Sequence, residues 1–210
     1  MNRLLFILIC PFILGSCIGK YDSEAQQAGI SDAAVLPNRK ALDTVKVDLT
    51  KSSMHWKGTK MRGSGKHEGI IQLKEAYFLS KEEQLVGGSF TADMQTISVT
   101  DIPEHEPIPI RNLNNHLKSA DFFDVEKYPN ATFEIIELKR HTTDSLKVTG
   151  NLTMKGITKE VVFEAFEQKP IFSTKFTFDR FEWDIAYSGN WTDQTLVDRK
   201  VELTILLILE

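Results

Sequence analysis

Residues 146–165 read LKVTGNLTMKGITKEVVFEA, and the spacing of their apolar side chains decides the fold class. Leu146, Val148, Gly150, Leu152 and Met154 take every second position, and Val161, Phe163 and Ala165 take up the same period after Lys155-Gly156. A strand with one face buried and one face wet alternates in this way, because successive side chains point to opposite faces of a sheet. A break as short as Lys155-Gly156 suits antiparallel neighbours, since parallel strands need a long crossover.

Working outward, the period of two continues in both directions. Towards the N-terminus it holds at Val45, Val47 and Leu49, at Met54, Trp56 and Gly58, and at Ile71 and Leu73. It continues at Val86, Gly88, Phe90, Ala92 and Met94, then at Phe133 and Ile135. Towards the C-terminus it runs through Phe172, Phe176 and Phe178, then Val197, Val201, Leu203, Ile205, Leu207 and Leu209. Turn-forming residues separate the runs at Arg62-Gly63-Ser64-Gly65, Ser80–Glu83 and His141–Asp144. Only Ile110–Phe123 departs from this, with Leu113 and Leu117 four apart ahead of Phe122-Phe123; it predicts a short helix after the proline-bearing loop Asp101–Pro109. About eight strands with one helical insert make an all-β domain, either a closed antiparallel barrel or a sandwich. Closure removes exposed edges, and a barrel of about eight strands can hold one small ligand. Gly88 and Gly150, on faces of large residues, either leave room for a cavity or mark bulges.

Composition narrows the function. Charged residues make up 26% and hydrophobic residues 41% of the 210, as in ordinary globular chains. The net charge of −4 lacks the cationic footprint that nucleic-acid binding needs. Phe is abundant, at 13 residues, which suits a large core or the wall of an apolar site. Cys10 and Cys17 are the two cysteines, so the chain beyond them has no disulfide, thiolate metal site or cysteine nucleophile.

The N-terminus reads MNRLLFILICPFILGSC: a basic Arg3, an apolar run Leu4–Leu14, then Leu-Gly-Ser before Cys17. The run is too short for a permanent span of roughly 30 Å of hydrocarbon. The pattern resembles the bacterial lipobox, which implies a signal peptide over 1–16 and a diacylglyceryl thioether on Cys17. More than one acyl chain is needed for firm anchoring. Residues 17–42 are expected to be the lipidated N-terminus and a flexible tether, whose 25 or so residues have a root-mean-square span of roughly 28 Å. Ile18, where some bacteria use Asp to retain lipoproteins at the inner membrane, favours the outer membrane of the cell envelope.

Four blocks within 43–210 carry a wider resemblance. WKGTKMRGSGKHEG (56–69), HLKSADFFDVEKYPNATFEI (116–135), VTGNLTMKGITKEVVFEA (148–165) and FDRFEWDIAY (178–187) are similar, in sequence and order, to the YceI-like family. The resemblance implies a lipocalin-like extended antiparallel barrel whose interior holds a long isoprenoid or similar lipid, with no cofactor and with homodimers in some members. Trp183-Asp184 and Glu75-Ala76 depart from it, each lacking a glycine common in the family.

The residues expected to line the interior are Trp56, Ile71, Phe90, Met94, Phe133, Leu152, Phe163, Phe176 and Trp183; the alternative for each is to pack only against its neighbours. His67 either meets a ligand head group as a neutral imidazole or ties a strand end to a loop. His116 reads as a structural cap, and Arg180 as one half of an internal ion pair or a phosphate contact. Gly63-Ser64-Gly65-Lys66 lacks the spacing and following helix of a phosphate loop and reads as a hairpin. No G-x-S-x-G elbow or H-E-x-x-H spacing occurs, so neither a catalytic set nor a metal site is assigned. The expectation is a non-catalytic lipid-binding module tethered to the membrane through Cys17. A lipid-modifying enzyme acting at the barrel mouth and a structural envelope module with a filled core are the alternatives.

Overall fold

The computed structural model describes residues 23–37, 42–186 and 197–210, so the expectations for residues 1–16 and Cys17 lie outside the described residues. Two short strands, β1 (Gln26–Gln27) and β2 (Gly29–Asp32), precede β3 (Asp43–Lys46), β4 (Ser53–Lys60), β5 (Gly65–Lys81) and β6 (Gln84–Val99). A helix, α1 (Pro107–Lys118), leads into β7 (Asn130–Arg140), β8 (Ser145–Met154), β9 (Ile157–Gln168) and β10 (Ile171–Asp179). A 3-10 turn at Arg180–Trp183 and strand β11 (Val197–Ile208) follow.

Strands β4 to β11 form a closed antiparallel ring of eight. Consecutive strands from β4 to β10 are neighbours except that α1 interrupts the β6–β7 connection, β10 pairs with β11, and β11 returns to β4. The pattern left barrel and sandwich open; closure through β11–β4 makes it a barrel. Strand β3 continues the line of β4 along β5, pairing Asp43 with Ser80 through Lys46 with Tyr77 beyond the start of β4.

Local chemistry sets the hairpins. Glu82-Glu83 and Lys155-Gly156 both have positive φ at the two central residues, the turn geometry whose twist matches flanking strands. Helix α1 begins earlier than the Leu113–Leu117 spacing predicts, at Pro107, and ends at Lys118. Proline fits the first helical turn because its missing N–H would have no helical acceptor there. Beyond Lys118 the chain folds into turns rather than helix, with Phe122 N donating to Ser119 O (3.0 Å) and Asp124 in the left-handed region.

The tether expected over 17–42 is corrected at residues 26–32. These residues are not free linker: β1 pairs in parallel with β10, and β2 pairs antiparallel with β9. Short strands of two and four residues leave too brief an alternation to be read from sequence, and their stability comes from the sheet that receives them.

One consequence is directly measurable. An added Cβ at Gly156 would lie 2.9 Å from the Tyr128 ring, at φ +77°. Gly156→Ala is therefore expected to lower stability by about 1–3 kcal/mol in urea unfolding, whereas Lys155→Asn, which suits the left-handed region, should leave it nearly unchanged.

Candidate functional site: an apolar cavity inside the barrel

The barrel interior is built from the inward residues of each strand. Six phenylalanines run around it in a continuous chain: Phe172 to Phe78 (ring centroids 4.8 Å), Phe78 to Phe90 (5.0 Å), Phe90 to Phe133 (6.4 Å), Phe133 to Phe163 (5.6 Å) and Phe163 to Phe176 (4.3 Å, stacked). The alternation is what aims them all inward, and their bulk surrounds space rather than filling it. A cavity of about 220 Å³ remains, with a wall that is almost wholly hydrocarbon.

Nine of the ten residues expected at the ligand border this cavity: Trp56, His67, Ile71, Phe90, Met94, Phe133, Leu152, Phe163 and Phe176. Trp183 does not, and that expectation is corrected. It is fully buried, packs edge-on against Phe178 at 5.5 Å, and donates its indole N–H to the Leu152 carbonyl (3.0 Å). Strand parity fails at this position because Trp183 belongs to the 3-10 turn. Asp184, where the family favours glycine, takes the left-handed conformation (φ 49°) that Asp tolerates better than most side chains.

His67 has the loop contact that one of its two readings expects, and it also borders the cavity. Its Nδ1 lies 3.3 Å from Asp101 Oδ2, which ties β5 to the loop before α1. His116 stands at the cavity too, its ring 5.4 Å from that of Phe122, while its carbonyl accepts from Ser119 N and Oγ.

Among the described residues, Arg180 lacks the internal ion pair expected of it. It is 1% exposed and borders the cavity wall. Its guanidinium donates instead to three backbone carbonyls: Nε to Asp198 (3.2 Å), Nη1 to Ile185 and Nη2 to Val197 (3.1 Å). The faces of Phe181 and Phe122 lie 4.7 and 5.4 Å from it. Burial lowers its pKa from the ordinary guanidinium value. Its charge joins the 3-10 turn to β11 and to the Ile185 carbonyl.

Sequence reasoning undervalued the end of the barrel beneath the insert. Leu113, Leu117, Phe122 and Phe123 reach the cavity from α1 and the turns after it, giving the wall a cover not made of strands. Their signal was present in the Leu113–Leu117 spacing and the Phe-Phe pair, which mark a small apolar face needing a partner. Gly69 lets Trp56 lie across the wall: an added Cβ there would come within 1.9 Å of the Ser98 carbonyl and 2.7 Å of the Trp56 ring. Among the described residues, no three His, Cys, Asp or Glu side chains gather as metal ligands.

An eight-strand antiparallel barrel with a lidded, hydrocarbon-walled interior defines the lipocalin-like class. The chain belongs to the YceI-like domain family, whose pattern matches residues 45–209. Curated relatives align over a shorter stretch of 52 residues: a UPF0312 protein of Enterobacter is 50% identical there and protein YceI of Salmonella arizonae 48%, the stretch covering 25% of this chain and 27% of each relative. The aligned stretch thus spans about a quarter of those relatives' length. Among solved structures, BcnA of Burkholderia cenocepacia superposes with a TM-score of 0.61 at 22% identity, over 78% of this chain and 99% of BcnA. A polyisoprenoid binding domain from Saccharophagus degradans gives 0.58 at 11% identity, over 81% of this chain and 99% of that domain. At these identities the likeness is one of fold.

Two substitutions separate cavity from scaffold. An added Cβ at Gly58, on the cavity wall, meets nothing within 4 Å. Gly58→Phe should therefore project into the cavity and weaken binding of an apolar chain by at least about tenfold, or 1.4 kcal/mol, with little change in melting temperature. Arg180→Met should do the reverse kind of damage: it strands three carbonyls and is expected to cost about 3 kcal/mol or more of folding stability, read by urea unfolding.

Proposed function

We propose that the protein binds a long apolar lipid of isoprenoid type inside the barrel, and stores or transfers it within the cell envelope without chemically altering it. The observation that carries this reading is the enclosed wall of Phe, Leu, Ile, Val and Met side chains, which offers a polar substrate almost nothing to bind. Hydrocarbon gains about 0.8 kcal/mol for each CH₂ moved out of water, so a chain of many methylenes can be held by burial alone. One or two polar groups suffice to place the head of such a ligand. His67 and Lys60, which border the cavity on β5 and β4, are suited to that task. The Saccharophagus degradans domain, described as polyisoprenoid-binding, supports the choice of ligand class.

The lipobox-like run before Cys17 supports the second half of the reading, a diacylglyceryl anchor at that residue and residence at an envelope membrane, the outer one by the argument from Ile18. An anchored barrel meets its membrane at a high local concentration, which favours repeated exchange with lipid. The barrel interior then acts as a second apolar phase beside the bilayer.

Delipidated protein titrated with a polyprenol should show saturable, one-to-one quenching or enhancement of tryptophan emission, and Trp56→Phe should remove most of that signal. Absence of saturable uptake would sink the reading. Cys17→Ala should in parallel move the protein from the membrane to the soluble fraction of fractionated cells; unchanged membrane association would count against the anchor.

A further inference from the structure

The ring of strands has one weak seam. Strands β9 and β10 pair only over Ala165–Gln168 and Ile171–Thr174, four residue pairs, whereas β8–β9 has ten and β10–β11 nine. Beyond Thr174 and Ala165 the two strands part, and the N-terminal residues fill the gap. Gln27 and Gln26 lie along β10 opposite Thr177 and Phe176, while Gly29–Asp32 lie along β9 opposite Val162–Lys159.

The Gln26 side chain sits at the fork. Its amide N–H donates to the carbonyls of Glu164 (2.8 Å) and Lys175 (3.4 Å), and its oxygen accepts from Glu164 N (2.8 Å). A side-chain amide thus replaces the peptide group that the next rung of the β9–β10 ladder would have supplied. Ala28 is buried and Ile30 packs on the core, the inward positions of the insert, while Gln27, Gly29, Ser31 and Asp32 face outward and are exposed. On the strands beside this insert, Val161 is paired with Ile30 and Phe176 with Gln26, and both, with Phe163 and Phe178 of the same strands, wall the cavity.

The insert precedes residue 45, where the family match begins. Its hold on the barrel is two short ladders, the Gln26 amide and the apolar side chains of Ala28 and Ile30. Outer-face contacts of Ser31 with Glu160 (3.0 Å) and Asp32 with Lys159 (3.0 Å) add to it, with Asn151 bonding the Ala34 backbone just beyond. Local opening free energies track the buried contacts of a segment, so this insert is the wall element best placed to open without unfolding the ring.

Taken together, the geometry points to residues 26–32 as a removable stave that covers a lateral port between β9 and β10, through which an apolar chain passes between bilayer and cavity. This rests on the reading that the cavity takes such a chain. A side port suits a long flexible ligand, since the chain can slip in sideways past Phe163 and Phe176 instead of threading under α1. The stave also lies only nine residues after Cys17, so an anchor there would hold the port close to the membrane.

A reversible lock tests it. Gly29 and Val162 are opposed across the β2–β9 ladder, and an ideal Cβ at Gly29 lies 3.7 Å from the Val162 Cβ, inside the roughly 3.5–4.5 Å range of disulfides. The double variant Gly29→Cys, Val162→Cys in the full chain would be loaded from phosphatidylcholine vesicles carrying a pyrene-labelled prenol. Each single-cysteine variant serves as a control against pairing with Cys10 or Cys17. Oxidised protein should load at least about tenfold more slowly than reduced protein, reach the same final occupancy, and regain its rate with reductant. Gln26→Ala, which frees the fork without a crosslink, should speed loading. Equal rates for oxidised and reduced protein, or no acceleration by Gln26→Ala, would overturn the port. Failure of every form to load, wild type included, would instead overturn the binding reading beneath it.

Discussion

Closure of the sheet is the constraint on which the rest of the structure depends. A meander of long strands has two open edges, and open edges invite pairing with other chains. Here β11 returns to β4, so both edges of the meander are consumed within the molecule. Once eight strands close, every second side chain must point into a space of fixed width, and that space is either filled or occupied by a guest. Six phenylalanines on β5, β6, β7, β9 and β10 form one chain of ring contacts, and five of them, all but Phe78, border the cavity.

Closure also explains where polar groups sit. The interior wall is almost wholly hydrocarbon, so a buried charge at its edge needs partners from the protein. Arg180 meets that demand with three carbonyls and two aromatic faces. The outer face tolerates charge freely, as in Lys57 and Lys175, both beside Glu202. Sorting by face, rather than any cluster of reactive groups, gives this protein its chemistry: an apolar compartment inside a water-compatible shell.

Much of this was legible in the sequence, because alternation is a local signal that closure merely uses. Alternation places Trp56, Phe90, Phe133, Leu152, Phe163 and Phe176 each on one face of its strand, but which face turns inward is set by closure, which the period does not record. Trp183 was misread since its neighbours leave the strand for a 3-10 turn, where parity has no meaning. The barrel was not distinguishable from a sandwich by period alone, because β11–β4 pairing joins residues about 150 apart in the chain, a separation no local pattern records. Residues 26–32 were read as linker for a related reason: their order comes from the fork between β9 and β10, not from any preference of their own. The resemblance to the YceI-like family supplied the closure that the period could not, and the match over residues 45–209 bears it out.

The space inside the ring is proposed as a lipid site. Native mass spectrometry of the protein, purified from its own envelope under mild conditions, tests this most directly. The account predicts a discrete added mass that solvent extraction identifies as a polyprenyl or similar long-chain lipid. A bare protein mass, unchanged after incubation with polyprenyl lipids, would contradict it.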